Sequence, residues 1–181
     1  MKIFGVDPGS QRTGYGCIEL RDSRHHMIDC GALTTPPRAT LPEKLLAVHS
    51  GLAELLAQHH PDAVAIEDLF YARNARSALI LGHVRGVLIL AASEANVPIW
   101  EYSPTEVKRA VVGYGRAEKR QVQQMVTLLL GMSSAPTLLD VSDALAVAVC
   151  HSHSIGPTRE ASQSGIAIRG WRRYRPPERV E

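Results

Sequence analysis

Four acidic side chains in this 181-residue chain sit at positions where a carboxylate is costly unless something holds it. Asp7 directly follows an apolar run (residues 2–6) and precedes Pro8-Gly9, and Glu67 directly follows a second apolar run (residues 63–66). Both runs read as buried strands, and reactive groups in open sheets collect at the carboxyl ends of strands. Asp140 and Asp143 are three residues apart in a segment (138–152) that is apolar almost all round. As a helix it must be largely buried, and the spacing puts both acids on one face, with no Lys or Arg within four residues of either. A buried carboxylate needs a partner, a hydrogen bond or a metal. Several at one place raise one another's pKa. A pair of hard divalent cations, Mg²⁺ with Mn²⁺ as a substitute, resolves that conflict. Two ions among four carboxylates make a site for phosphoester chemistry. Taken singly, the acids admit plainer readings: Asp7 as a turn cap, Glu67 as a solvated strand-end acid, Asp140 as a first-turn acid favoured by the helix dipole.

The elements that must position these acids follow from hydrophobic patterning. Strands are expected over residues 2–6, 14–20 and 26–33, the first two joined by a Gly-rich turn and the last two by the polar stretch 21–25. Thr40, with Glu43 three residues on, opens a helix that Pro61 ends. Its apolar stripe is Leu45, Val48, Leu52, Leu55 and Leu56, at helical spacing. A strand over 63–66 precedes a long helix capped by Asn74 and running to Ala95. A fifth strand covers 97–102. Pro104 suits the first turn of a short helix that Gly113 and Gly115 stop. Helices over 118–130 and 138–152 complete the body. Grouped strands followed by alternating helices and strands predict an α/β fold, a mixed five-stranded sheet with helices on its faces.

Composition bounds the rest. Apolar residues are 45% and charged residues 21%, with a net charge of only +2, so global charge selects no partner. Cys17, Cys30 and Cys150 form no metal-ligand spacing, and so sparse a set fits a reducing compartment. The N-terminus lacks the apolar core of a signal peptide. No continuous run of about 18 apolar residues occurs, so no membrane span is expected. These features together predict a cytoplasmic protein. Residues 155–181 carry six Arg and three Glu, net +3, which leaves the first 154 residues at −1. Poor in aliphatics, this stretch reads as a flexible basic tail, with residues 1–154 as the folded domain. Its Arg and aromatic residues could grip phosphates and stack on bases, although a solvated terminus is the simpler account.

The segments Val6-Asp7-Pro8-Gly9, Thr13-Gly14-Tyr15-Gly16, Ile66-Glu67-Asp68-Leu69-Phe70 and Asp140-Val141-Ser142-Asp143-Ala144 occur in this order along the chain. Between them lie Ala72-Arg73-Asn74-Ala75-Arg76-Ser77-Ala78, Val107-Lys108, Val111-Val112-Gly113-Tyr114-Gly115 and Ala117-Glu118-Lys119. In order and spacing these segments resemble the RuvC family of Holliday junction resolvases over residues 1–153. The resemblance implies an RNase H-like fold, a homodimer, and Mg²⁺-dependent resolution of four-way DNA junctions by two symmetric nicks, leaving 5′-phosphate and 3′-hydroxyl ends. It carries the acidic ligand set, for two ions, over to Asp7, Glu67, Asp140 and Asp143, in an all-carboxylate version where some members have a His at the third place. It further implies that Asp7 bridges both ions, that Lys108 and Lys119 lie close to the scissile phosphate, and that Phe70 contacts a base near the exchange point. RuvA and RuvB, the branch-migration proteins, are the partners it suggests.

Around these positions, Tyr71, Arg73, Arg76, Tyr114 and Arg116 are the further candidates for holding DNA, against a reading of the charges as a solvated face and of Phe70 as a core residue. Ala78, Gly82 and Gly86 line one helix face at four-residue spacing, for a second copy of the chain or for the protein's own sheet. A nucleotide-binding ATPase of the actin or sugar-kinase kind also begins with a strand ending in Asp-x-Gly. It needs two lobes, for which this chain is short, and has no role for the Asp140/Asp143 helix. A junction-binding scaffold without catalysis is the third reading.

Overall fold

The computed structural model describes residues 1–35, 37–68 and 74–155. Three strands open the chain: β1 (Lys2–Asp7), β2 (Arg12–Arg21) and β3 (Arg24–Thr34). A two-residue hairpin joins β2 to β3, with Asp22 and Ser23 both left-handed (φ 51° and 61°), the turn geometry whose twist matches that of paired strands. Helix α1 (Leu41–His59) leads into β4 (Ala63–Glu67), α2 (Ala75–Glu94), β5 (Ile99–Tyr102), α3 (Pro104–Val112), α4 (Lys119–Leu129) and α5 (Leu139–Ser154). The sheet order is β3-β2-β1-β4-β5. β1 and β3 run antiparallel to β2, while β4 runs parallel to β1 and β5 parallel to β4. The expected mixed five-stranded α/β sheet is the one observed.

Helix starts follow their caps. Thr40 donates its backbone N–H to Glu43, Asn74 accepts from the Ser77 N–H, and Ser103 exchanges hydrogen bonds with Glu106 ahead of Pro104. β5 begins at Ile99, two residues later than the apolar pattern suggests. Asn96 is left-handed (φ 55°) and the Val97 N–H closes onto Ala92 O, so both residues serve the end of α2.

Side chains alternate across the sheet into two cores. Phe4, Val6, Cys17, Val64 and Ile66 pack with α1 and α2, and Ile3, Ile18 and Ala65 pack with α3, α4 and α5. Each fully buried aliphatic contributes roughly 1.5–3 kcal/mol. The same alternation carries Asp7, after Ile3 and Gly5, and Glu67, after Ala65, onto the α5 side. Helix α2 is long and apolar enough to cross a membrane by length and composition alone (mean hydropathy 1.4), although no continuous apolar run marks it. Here it packs through Val84, Leu88, Ala91 and Ala92 against the sheet and α1. The tail expected over 155–181 lies, from residue 156 on, outside the described residues.

Candidate active site

Three glycines let α5 lie directly on the sheet. Gly5 pairs with Gly16 across β1 and β2, and Asp7 pairs with Gly14. A Cβ on Gly5 would stand 2.1 Å from the Ala144 carbonyl oxygen, one on Gly14 2.0 Å from that of Asp140, and one on Gly16 2.5 Å from Leu145 Cδ2. At Gly5 and Gly14 backbone therefore meets helix backbone, with the Ala148 methyl close by, and at Gly16 the Leu145 side chain fills the space. This close approach brings the first turns of α5 beside the end of β1. Gly5, Gly14 and Gly16 fall within the expected strands; that they clear a path for the backbone of α5 was the missed signal.

Asp7 is 9% exposed. Burial, then the negative charges of Glu67 and Asp143 and a hydrogen bond with Glu67, push its carboxyl up to about 9, against the opposing field of Lys119. Glu67 is also raised, by burial first and by Asp143, while the hydrogen bond from Asp7 and the fields of Lys119 and Lys108 pull the other way. At neutral pH the two strand-end carboxyls thus share a proton, with Asp7 as donor. Asp143 takes the ammonium of Lys119, whose Nζ donates to Oδ2 at 2.5 Å. The Asp143 side chain is 13% exposed and that of Lys119 61%. Burial disfavours the Lys119 charge, but the hydrogen bond to Asp143 and the fields of Asp143, Asp7 and Glu67 outweigh it and raise its pKa. The absence of basic neighbours along α5 is thus made good by a residue 24 positions away.

Asp140 is half-buried, one turn before Asp143, and lines a cleft with Gly9–Arg12 of the β1–β2 turn and Thr137 to Leu139. Among the described residues, no group of three or more His, Cys, Asp or Glu is placed to hold a metal ion as it stands. In this arrangement one proton and one ammonium offset two of the three negative charges of Asp7, Glu67 and Asp143. The donor set nonetheless fits a hard divalent cation. It is all oxygen, it carries more negative charge than its burial tolerates, and the charges that relieve it are a displaceable proton and a largely solvated lysine.

Lys108, on α3, is half-buried and acts on Glu67. Tyr114, Arg116 and Arg76 are exposed, Tyr114 after the left-handed Gly113 that ends α3. Phe70, Tyr71 and Arg73 lie outside the described residues. Two clusters escaped sequence reasoning. Tyr102, paired with Glu67 in the sheet, places its hydroxyl 2.7 Å from Nδ1 of the fully buried His151, whose ring lies tilted against Trp100. Burial pulls the His151 pKa down to about 4, so it is neutral. On the opposite sheet face, Arg85 meets Glu101 and Asp68.

Comparison with known proteins identifies the family to which the chain belongs. The family model described as "Crossover junction endodeoxyribonuclease RuvC" matches residues 3–151. Proteins of that name from Citrifermentans bemidjiense and Alkaliphilus oremlandii are 50% and 47% identical over 156 and 154 residues, covering 86% and 85% of this chain and 94% of each relative. The structure of Thermus thermophilus RuvC in complex with Holliday junction substrate superposes with a TM-score of 0.81 at 33% identity, over 85% of this chain and 94% of the other.

Proposed function

Because the chain belongs to the RuvC family of crossover junction endodeoxyribonucleases, with that family's RNase H-like fold, we propose that it resolves Holliday junctions by paired symmetric nicks at the Asp7–Glu67–Asp143 cluster. As a family member it is a metal-dependent nuclease acting on phosphodiester bonds. The observation that carries the site assignment is the convergence of Asp7 and Glu67, at the ends of adjacent parallel strands, on Asp143 of α5 and its bond from Lys119.

Asp7, Glu67 and Asp143, with Asp140 one helical turn away, would hold two Mg²⁺ or Mn²⁺ ions. Bound there, the ions supply positive charge to the scissile phosphate and acidify the attacking water. The chain's own groups do the rest. Asp7 would release its proton to solvent and, as a carboxylate beside Glu67 and Asp143, help hold the ions. Asp140, on the cleft side, orders the water. Lys119 exchanges Asp143 for a phosphate oxygen, and Lys108 approaches the same phosphate from the Glu67 side, both countering charge that develops in the transition state. Cleavage of the P–O3′ bond then leaves a 5′-phosphate and a 3′-hydroxyl. Phe70 and Tyr71 offer stacking to unpaired bases, while Arg73, Arg76, Tyr114 and Arg116 offer contacts to the DNA backbone.

A homodimer supplies the second nick. Its support is α2, where Leu79 is 65% and Leu90 50% exposed and where Gly82 and Gly86 face open space. That face does not pack on the protein's own sheet, and a second copy of α2 covers it. Junction DNA, RuvA and RuvB as partners, and a cytoplasmic setting, complete the proposal. The test is cleavage of a synthetic mobile four-way junction. Wild type with Mg²⁺ should give nicked duplexes that DNA ligase seals. Chelator, or Asp7→Asn, should abolish cleavage and leave junction binding intact. Cleavage that survives either change, or products that ligase cannot seal, would overturn this reading. A junction left whole while ATP is hydrolysed would favour the ATPase.

A further inference from the structure

Arg85 stands on α2 between the two faces of that helix, next to the buried Val84 and flanked by the open Gly82 and Gly86. Its guanidinium crosses to the carboxyl ends of β4 and β5. There it donates to Glu101 Oε1 and lies 3.8 Å from Asp68 Oδ1. The Glu101 side chain is 14% exposed and that of Arg85 28%. Asp68 follows Glu67 directly, and its N–H donates to Tyr102 O at 2.8 Å. Glu101 pairs with Ile66, and Tyr102 with Glu67. One guanidinium thus holds the strand residues immediately around Glu67 from the sheet face opposite the carboxylate cluster. Arg85 Nε is buried without a hydrogen-bond partner among the described residues. A largely buried ion pair that also leaves a donor unpaired is a poor device for stability, and such groups are kept where they fix one geometry.

We propose that Arg85 is a positioning residue for cleavage: it locks the end of β4 to α2, so that Glu67 holds its place against Asp7 at a fixed distance from the helix face that pairs with a second copy. The inference rests on the junction-cleaving reading and deepens it. Arg85 touches no reacting atom. Its loss loosens Glu67, and a loosened ligand is felt first in metal dependence and turnover. Nη2 makes both contacts, hydrogen-bonding Glu101 and standing at ion-pair distance from Asp68, so a lysine that reaches Glu101 keeps part of the hold.

The experiment uses the full chain on a four-way junction across a Mg²⁺ series. Arg85→Met should lower kcat about 10–100-fold and raise the half-saturating Mg²⁺ concentration several-fold, the range seen for groups that orient metal ligands, with KM for the junction within about twofold of wild type. Arg85→Lys should fall between. The single variant strands Glu101, so Arg85→Met with Glu101→Met is the companion variant: removing both ends of a buried pair is near neutral for folding. It should melt near wild type and still cleave slowly with the shifted metal dependence. If the double variant recovers both melting temperature and cleavage, Arg85 only stabilises the fold and the proposal fails. It fails equally if either variant changes KM alone, or keeps wild-type kcat and Mg²⁺ dependence. A wild-type protein that does not cut the junction would instead overturn the reading on which the proposal rests, before any variant is compared.

Discussion

At the scale of single residues, the site is a problem in charge that the folded chain solves twice over, with a proton on Asp7 and with the ammonium of Lys119 on Asp143. The first solution has a measurable consequence for stability. Asp7 ordinarily titrates near 3.8 and in the fold near 9. Between those values the folded state holds a proton that the unfolded state has lost, so its contribution is complete below about pH 4 and drains away as pH rises toward 9. Without divalent ions, Asp7→Asn should therefore match wild type in melting temperature near pH 4 and exceed it by several degrees near pH 8, on the order of 1–3 kcal/mol. Adding Mg²⁺ at pH 8 should raise wild type and leave Asp7→Asn unmoved, and the metal's effect on wild type should weaken toward pH 5, where protons compete. Differential scanning fluorimetry across pH, with and without metal, reads all three. A wild type that gains stability between pH 5 and 8 without metal would contradict the shared proton. Lys119 carries a second prediction. Lys119→Ala removes the partner of a largely buried carboxylate and a cation from beside the phosphate, so cleavage at saturating Mg²⁺ should fall by about 10²–10³-fold, as for loss of one charge-stabilising donor. Single-turnover rates check it, because a loss confined to binding would appear as a weaker junction Kd instead.

At the scale of elements, the deciding contact is α5 against the bare backbone of β1 and β2. Gly5→Ala places a methyl 2.1 Å from the Ala144 carbonyl oxygen and 2.8 Å from the Ala148 nitrogen, both backbone atoms that cannot rotate away. The helix must lift, and Asp143 lifts with it. Overpacking of this kind costs about 1–3 kcal/mol, so the variant should remain folded at low temperature, measured by urea titration. Its single-turnover cleavage at about 10 °C should nevertheless drop by more than its unfolded fraction explains. Equal losses would mean that the approach of α5 serves stability alone. The same contact shows where the sequence was legible. Strands β1 and β4, the caps at Thr40 and Asn74 and the apolar α5 announce themselves through local patterning, and Asp7, Glu67 and Asp143 stand out because acids at those places violate it. Spatial relations leave no local trace. The Lys119–Asp143 bond spans 24 residues, the Tyr102–His151 bond 49, and the hold of Arg85 on Glu101 requires two elements to be placed first. Asp140 was readable as an acid on the right helix face, but its position on the cleft side depends on how the β1–β2 turn meets α5. The β5 boundary shifted because Val97 completes the helix before it, a tertiary choice that an apolar residue does not advertise.

At the scale of the whole molecule, the proposed mechanism has one carboxylate cluster make one nick, so resolution would need two on strands of like polarity. A twofold axis provides this without further machinery, since an isologous pair presents identical sites on opposite sides of the axis. The open face of α2 is where such an axis passes most economically. Among the described residues nothing lies within 4 Å of where a Cβ on Gly82 or Gly86 would stand, so in an isolated chain they lower helix stability by about 1 kcal/mol each with no packing gain from those residues. In the proposed dimer a close helix–helix approach would be the compensation, and the two states should then respond with opposite sign. Gly82→Ala with Gly86→Ala should raise the melting temperature of the isolated chain at low protein concentration, yet weaken self-association, with the dimer dissociation constant rising at least tenfold in sedimentation velocity. On a junction the double variant should still cut at high protein concentration. At low concentration it should release singly nicked junctions, because the second site is no longer delivered with the first. A variant that dimerises as tightly as wild type would move the axis elsewhere on the surface. One that loses monomer stability would show that the glycines are needed within the chain and not between chains.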